Sequence, residues 1–404
     1  MSNAIRNAWN FIFNRFYSPK AGLLFDFLTD DRKNADADLP TPAEIARDDP
    51  NPCGWGTGME DCVLSGGTAI DALVAGYAAT EDKTIPPLCG KLWEGMLHCA
   101  DVARNEGFVA RGFSPEDGKS HYSDSSRDQY THFVYAAVRY FRSPMSKENQ
   151  KADIRRVLSS IARKCERDVT AETGFQLLRD DGKPGIVSTM WGDTLGAHEY
   201  MRLPMFYLSA FFVTGENHFR EKYLEYRDEA LVKSHGYPYR EKLCYSTLQM
   251  SYSLRLVYDL DPDPVFRAKT RRLLDEIADF GEERVLSSLS LFDDPDFRRA
   301  LNFTYTPWRE AKTEDMGVVG GKHYRNPGQN SRKINPAFYP LRGIGEAASI
   351  AALCPGRRVS DSVVSALEIA AGNIDYTHHH TYAPLLLASG YLLCLENRKQ
   401  NPNP

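Results

Sequence analysis

The chain has 404 residues, of which 42% are hydrophobic and 11% aromatic, enough to form the core of one large domain or two ordinary ones. Its formal net charge is only −5 and no block of like charge stands out, which argues against binding to nucleic acid or to a membrane surface. No run of about 18 apolar residues is evident, so no transmembrane helix is predicted.

The N-terminus leaves the cellular compartment open. Residues 1–4 lead directly into an amphipathic stretch, without the basic and apolar regions of a signal sequence. We expect a cytoplasmic protein if this start is native, and a periplasmic or secreted one if a signal peptide was removed. Eight scattered cysteines without a CxxC pair, mostly inside apolar runs, predict buried free thiols rather than disulfides or a zinc site.

Helical periodicity dominates the chain. Twelve helices are predicted, near 4–16, 60–79, 87–106, 126–142, 147–167, 193–213, 216–233, 244–259, 263–285, 337–353, 359–373 and 378–397. Short and long connections alternate, as expected for antiparallel helix hairpins whose long loops collect on one face. Six such hairpins closed in a ring make an (α/α)6 barrel, in which the N-terminal helix pairs with the last one.

The predicted fold class is therefore all-α, a single (α/α)6 barrel over residues 1–404 with long loops and minor β-hairpins on one face. Residues 173–186 are typical of a small hairpin that turns at Asp181-Gly182. Residues 286–337 are too long for a plain connection, and a lid or site-lining insertion is predicted there.

The inner ring of the barrel is predicted to consist of the helices that start near 60, 126, 193, 244, 337 and 378. Their N-termini all open onto the long-loop face. A helix start carries unpaired N–H groups and a positive dipole end, so several starts on one face favour an anionic sugar as ligand.

The first polar cluster comes just before the helix near 60. Glu60 and Asp61 follow Trp55 and a glycine-rich stretch, residues 54–58, that matches neither a phosphate-binding loop nor a dinucleotide fingerprint. A helix start alone explains the two acids. The alternative is that the two acids bind substrate hydroxyl groups, and Trp55 is predicted to bind substrate with them.

The densest cluster spans residues 117–132. Asp128 and His132 stand at positions i and i+4 and share one helix face. Helix capping explains part of the cluster but leaves its crowd of His, Tyr, Arg and Gln unexplained. Arg127 can clamp a carboxylate with two hydrogen bonds, and Asp128 is a candidate second catalytic carboxylate. The remaining candidates are His121 and His132 for catalysis, with Tyr122 and Gln129 for substrate binding.

The third cluster is Trp191-Gly192-Asp193, which stands where the sixth predicted helix begins. Asp193 is a natural capping or first-turn acid, and capping alone would explain it. The neighbouring Trp191 offers a flat apolar face to a sugar ring, and His198 follows as a further binding candidate.

This third cluster resembles the central motif of the unsaturated glucuronyl and rhamnogalacturonyl hydrolases. The similar residues are 190–195, the Pro204 to Phe206 stretch and the turn at Thr214-Gly215. The resemblance implies an (α/α)6 barrel in which Asp193 is the general acid/base. The clusters at 54–61 and 112–126 depart from that family, and exo-acting glucuronidases or uronate lyases of the same barrel fit as well.

Two clusters remain towards the C-terminus. His323, Tyr324 and Arg325 concentrate hydrogen-bond donors inside the long insertion, where loops often supply binding residues. His378, His379 and Tyr382 precede the last inner helix and are predicted to bind substrate. The three adjacent histidines of 378–380 do not face one point on a helix, so no metal and no cofactor is predicted.

These clusters predict a glycoside hydrolase that removes a terminal uronic acid from an oligosaccharide or polysaccharide. Asp193 and Asp128 would be the acid and base, and helix N-termini with Arg127 and Arg325 would bind the sugar carboxylate. A polysaccharide lyase that uses His and Tyr residues for β-elimination is the alternative. A non-catalytic carbohydrate-binding protein is the third interpretation.

Overall fold

The computed structural model describes residues 1–304, 307–310 and 336–402. Within them the chain forms fourteen α-helices and two small strand pairs. The helices are α1 (Asn3–Arg15), α2 (Pro42–Ile45), α3 (Cys62–Thr80), α4 (Ile85–Asp101), α5 (Arg127–Arg142), α6 (Glu148–Asp168), α7 (Arg202–Thr214), α8 (Asn217–Ser234), α9 (Cys244–Leu260), α10 (Pro264–Ser288), α11 (Pro295–Ala300), α12 (Phe338–Ala352), α13 (Asp361–Gly372) and α14 (Ala383–Gln400).

Six of these helices close into an inner ring. α3 packs on α5, α5 on α7, α7 on α9, α9 on α12, α12 on α14, and α14 returns to α3. An outer helix packs against each inner one, and α1 fills the last outer place by packing on α14. The predicted (α/α)6 barrel is confirmed, including its set of inner helices and the pairing of the first helix with the last.

The sequence shows why certain helices lie inside the barrel. α3 is apolar on every side and is buried from residue 62 to residue 76, as a helix enclosed by neighbours must be. α12 and α14 approach closely at Gly345, where an added Cβ would lie 2.1 Å from the backbone of Leu386. A side chain at residue 345 would therefore push these two inner helices apart.

α3 is an exception to the statement that the chain has no apolar run of membrane-spanning length. By length and composition alone, Cys62–Thr80 is long and apolar enough to cross a membrane. In the structure 83% of the residues in its most apolar 18-residue stretch are buried, because the helix is part of the inner ring.

Two short antiparallel strand pairs accompany the helices. β1 (Tyr17–Ser18) pairs with β2 (Leu23–Leu24), and β3 (Gln176–Leu178) pairs with β4 (Pro184–Thr189). The second pair confirms the hairpin predicted over 173–186, and Gly182 takes the positive φ of +80° that its turn requires. A bridge between Val187 and Ser126 fixes this hairpin beside the start of α5.

Two predicted helix starts are wrong. The helix expected from residue 193 begins at Arg202, because Gly192 has φ +97° and a single 3-10 turn, Ala197–Glu199, precedes α7. The helix expected from residue 378 begins at Ala383, because Thr381 instead bridges Phe27. Of the insertion at 286–337, residues 289–300 form a 3-10 turn and α11, while residues 311–335 lie outside the described residues.

All eight cysteines are buried thiols that form no disulfide, as predicted. We expect the native protein to react with fewer than one equivalent of a bulky thiol reagent, because burial raises the thiol pKa values, as for Cys62 and Cys99, and blocks access. After denaturation all eight should react. A colorimetric thiol assay with and without denaturant measures both values, and several fast-reacting thiols in the native protein would contradict this packing.

Candidate active site

A cavity of about 830 Å³ opens at the N-terminal ends of the inner helices. This volume lies in the range typical of small-molecule sites. Its wall contains residues from the starts of α3, α5, α9 and α12, from the turn before α7, and from the residue before α14. The predicted convergence of inner helix starts on one face is therefore present.

Asp26 is a buried carboxyl in the wall of this cavity. It is only 3% exposed, and its Oδ2 accepts hydrogen bonds from the backbone N–H groups of Glu60 (2.8 Å) and Asp61 (3.0 Å). Its Oδ1 has no hydrogen-bond partner among the described residues. Burial, followed by the charges of Asp61 and Glu60, raises the pKa of Asp26 well above its usual value. A carboxyl in this environment favours its neutral form and can donate a proton.

Asp61 is the second carboxyl beside Asp26, and its environment is different. Its side chain is 29% exposed and lies at the N-cap of α3. Its Oδ1 accepts from Gln129 Nε2 (2.9 Å) and lies 3.8 Å from Arg111 Nη1, while its Oδ2 accepts from the Tyr382 hydroxyl (3.4 Å). The carboxylate is thus held by donors on three other segments.

Arg111 connects the loop that carries Glu60 to the wall of the cavity. Its Nη1 donates to the Glu60 carbonyl (2.8 Å), its Nη2 donates to the Ser125 carbonyl (3.4 Å), and its guanidinium lies 5.6 Å from the centre of the Trp55 ring. The cation therefore fixes the position of Trp55 and faces Asp61 at the same time.

A second pair of carboxylates, Asp128 and Glu199, also lines the cavity. Arg202 is buried and donates from Nη1 to Asp128 Oδ1 (2.8 Å). Burial opposes ionisation of Asp128, but the charges of Arg202 and Arg127 outweigh it and lower the pKa of that carboxyl. Glu199 accepts from Arg127 Nε and from the backbone N–H of Gly196 (2.9 Å). Both carboxylates are therefore fixed in place as acceptors.

His198 completes this side of the cavity. Its ring centre lies 4.7 Å from that of Tyr237. Burial, followed by the charge of Arg202, lowers the pKa of His198 to about 4. The imidazole is therefore neutral near pH 7, where it can bind a hydroxyl group but cannot serve as a charged acid.

Of the residues predicted from the sequence, seven line this cavity. They come from four separate clusters and are Trp55, Glu60, Asp61, Arg127, Asp128, His198 and Tyr382. Gln129 lies just beneath them, where it holds Asp61 rather than facing the cavity.

The placement of Asp193 and Trp191 is a correction to the sequence analysis. Asp193 does not line the cavity; its side chain is fully exposed, 3.9 Å from Lys233 Nζ. The reason is that α7 begins nine residues later than predicted, so Asp193 lies on an outer loop. Trp191 packs between Tyr200 and Tyr226, with ring centres 5.4 and 4.7 Å away, and is not part of the cavity wall.

The histidine–tyrosine set of the dense cluster is also not brought together. His121 pairs with Asp180 (3.1 Å), and the Tyr122 hydroxyl donates to the Asp49 carbonyl (2.6 Å). His132 is buried beneath the cavity, with Nδ1 3.3 Å from Thr68 Oγ1, and burial lowers its pKa to about 3. Each of these side chains has a structural partner away from the cavity wall.

The C-terminal histidines face different partners. His378 lies 2.9 Å from Asp31, and His379 contacts the Leu301 carbonyl (2.7 Å) and Thr381 (2.8 Å). Neither lines the cavity. His323, Tyr324 and Arg325 lie outside the described residues.

The sequence analysis missed six charged residues of the site: Asp26, Arg111, Glu199, Arg202, Lys242 and Arg342. Asp26 is the lone charge in the apolar run 23–28, and Arg111 is the lone charge in 108–113. A charge inside an apolar run is costly unless it is paired, so this pattern was the available signal.

Comparison with known proteins gives only distant similarities. No family model and no curated protein matches the chain. Among solved structures it is similar to the GH76A alpha-1,6-mannanase from Salegentibacter sp. HEL1_6, with 10% identity, a TM-score of 0.34, and coverage of 68% of this chain and 86% of that one. It is also similar to the glycoside hydrolase family 76 (mannosidase) Bt3792 from Bacteroides thetaiotaomicron VPI-5482, with 11% identity, a TM-score of 0.33, and coverage of 71% and 88%. Because both TM-scores are below 0.5, the site is interpreted from its own residues.

Proposed function

We propose that the protein is a glycoside hydrolase in which Asp26 is the general acid and Asp61 its partner carboxylate. The observation that carries the proposal is the difference between two neighbouring carboxyl groups in one cavity. Asp26 is buried with a raised pKa, whereas Asp61 is partly exposed and held by three donors. Glycosidases use two carboxyl groups whose environments separate their protonation states.

In this mechanism the neutral Asp26 donates its proton to the glycosidic oxygen as the bond to the leaving sugar breaks. The Asp61 carboxylate stabilises the positive charge that develops on the sugar ring. It then acts either as base towards water or as nucleophile towards the anomeric carbon. Inversion or retention in the released sugar, read by NMR, distinguishes these two roles.

The rest of the cavity is suited to a sugar. Asp128 and Glu199 are fixed acceptors for hydroxyl hydrogens, and the rings of Trp55, Tyr237 and Tyr245 line the same space. Pockets of this kind combine aromatic walls with a few oriented polar groups. We propose an oligosaccharide or polysaccharide as the substrate class.

For the sugar itself we propose a uronic acid, with its carboxylate near Lys242. Lys242 lines the cavity, and its ammonium group makes no ion pair or hydrogen bond with the part of the chain that the structure describes. Arg127 and Arg342, by contrast, each contact a carboxylate of the protein. Lys242 is thus the lining cation whose charge a substrate carboxylate would complement.

The experiment that tests this function is digestion of a panel of glycans, some ending in glucuronic or unsaturated uronic acid and some neutral. Free uronic acid without a rise in ultraviolet absorbance supports the whole proposal. Release of neutral sugar alone keeps the hydrolase and rejects the uronic acid. A rise in absorbance identifies a lyase, and no product from any glycan rejects the proposal. The Asp26→Asn variant is the control for contaminating activity.

No specific observation favours the lyase. Its predicted residues His121, Tyr122 and His132 have partners away from the cavity. A purely binding protein has no need of a buried carboxyl with a raised pKa, which costs stability wherever it must ionise.

Replacing Asp193 by asparagine is expected to leave kcat/KM within about twofold of the wild type, the size of effect typical of exposed positions away from a site. Its side chain is fully exposed and does not line the cavity. Initial rates on the best substrate of the panel measure this. A tenfold or larger loss would return Asp193 to the mechanism and argue against Asp26.

A further inference from the structure

Arg342 occupies an unusual position for a cation, at the buried base of the cavity. Its Nε donates to Glu346 Oε1 (2.6 Å), one turn later in α12, and its Nη1 donates to the Tyr382 hydroxyl (2.9 Å). Four aromatic rings lie 5.2–5.9 Å from its guanidinium: Tyr245, Phe338, Tyr339 and Tyr382. Such a cage holds the guanidinium in one orientation.

The direction of the hydrogen bonds at Tyr382 follows from donor chemistry. A guanidinium can only donate, so the Tyr382 oxygen must accept from Arg342. The single hydroxyl hydrogen is then directed to the other neighbour, Asp61 Oδ2 at 3.4 Å. Burial raises the pKa of Tyr382 well above its usual value, so this hydrogen stays in place at every working pH.

We propose that Glu346, Arg342 and Tyr382 form a positioning relay that fixes the orientation of the Asp61 carboxyl group. The inference rests on the proposed function, in which Asp61 is the partner carboxylate of the acid. It also revises the predicted role of Tyr382, because the hydroxyl is used to hold Asp61 rather than to bind substrate. In this proposal the three relay residues act through Asp61 and do not contact the glycosidic bond.

The sign of each effect follows from the groups that surround Asp61. The titratable and charged groups that face it are Asp26, Glu60, Cys62, Arg111, Arg342 and Tyr382. Changing Tyr382 to Phe removes a donor to the carboxylate, which disfavours its charged form. Burial raises the pKa of Glu346, and the charge of Arg342 opposes that rise. Changing Glu346 to Gln leaves an acceptor for Arg342 Nε but removes the negative charge that ionised Glu346 places beside Arg342, so the Arg342 cation acts more strongly on Asp61.

The test is the dependence of kcat/KM on pH for the wild type, Tyr382→Phe and Glu346→Gln. We expect the acid limb to move to higher pH in Tyr382→Phe and to lower pH in Glu346→Gln, each by roughly half a pH unit. Tyr376→Phe is the matched control, because its hydroxyl donates only to the Ala371 carbonyl (3.0 Å) away from the cavity, and its profile should coincide with the wild type. Shifts in one common direction, or none, would overturn the relay.

A second measurement separates the relay from the proposed function. A carbodiimide labels protonated carboxyl groups, and mass spectrometry follows labelling of Asp61 against pH without any substrate. If the two variants move the pH midpoint of Asp61 labelling in opposite directions, the relay is supported. That conclusion holds even if the wild type hydrolyses no glycan, because failure of hydrolysis rejects only the proposed function. If Glu346→Gln fails to fold, Tyr382→Phe decides: an upward displacement supports the relay and an unchanged midpoint rejects it.

Discussion

Replacing Asp61 by asparagine is expected to lower kcat/KM by about 10²- to 10⁴-fold, the range that a positioned acid or base contributes. Asparagine keeps an oxygen that can accept from Gln129 Nε2 and has nearly the shape of aspartate. The fold should therefore survive while the charge that stabilises the sugar cation is lost. Steady-state kinetics and a thermal unfolding curve of the same preparation measure both consequences.

Asp193→Asn is the matched control for this variant, because it makes the same chemical change at an exposed carboxylate outside the cavity. The Asp61 variant should also affect Asp26. The charge of Asp61 is one cause of the raised pKa of Asp26, second to burial, so its removal should move the alkaline limb of the residual activity to lower pH. An Asp61→Asn enzyme that keeps more than a tenth of the wild-type activity would exclude Asp61 from the reaction.

The architecture could be predicted because its signals are local and repeated. Helical periodicity marks each helix, and the alternation of short and long connections indicates hairpins and their common face. The starts of α7 and α14 could not be predicted in this way. Asp193 suits a helix cap, and a helical pattern follows residue 378, but the chain stays irregular at both places. Glu199 binds Arg127 and Thr381 bridges Phe27, and these contacts join distant segments.

Only part of the site could be predicted from the sequence, for a related reason. Crowded polar clusters led to seven residues that line the cavity, but also to His121 and Tyr122, which stabilise loops. The acid proposed here, Asp26, stands alone between Phe25 and Phe27. Lone charges in apolar runs are therefore informative, because each must find a partner or shift its pKa.

That signal does not identify a catalytic group by itself. Asp71 is the single charge within α3, yet it is buried against Arg139 (2.7 Å), which also contacts Glu396. What distinguishes Asp26 is its place in the cavity wall, which Asp71 does not line. A carboxyl oxygen without a hydrogen-bond partner among the described residues is common to both, at Asp26 Oδ1 and Asp71 Oδ2.

The second large effect is expected from Asp26→Asn, which should abolish turnover and at the same time stabilise the protein. In the folded state the pKa of Asp26 is raised by burial and by the charges of Asp61 and Glu60. The folded protein therefore holds this proton more tightly than the unfolded chain does. Below the pKa of Asp26 in the unfolded chain, about 3.9, the carboxyl is protonated in both states and does not lower the free energy of unfolding. As pH rises from there towards the folded pKa, the unfolded state ionises first and stability is lost.

Asparagine at residue 26 removes this cost, since it stays neutral and its oxygen can still accept from the N–H groups of Glu60 and Asp61. At neutral pH we expect the unfolding temperature to rise by about 2 °C, and the difference should vanish near pH 3. Thermal unfolding at both pH values, with Asp193→Asn as control, measures this. Loss of activity together with a higher unfolding temperature is the expected effect of removing a carboxyl group whose role is to donate a proton. A lower unfolding temperature at neutral pH would instead show that Asp26 is a structural hydrogen-bond acceptor.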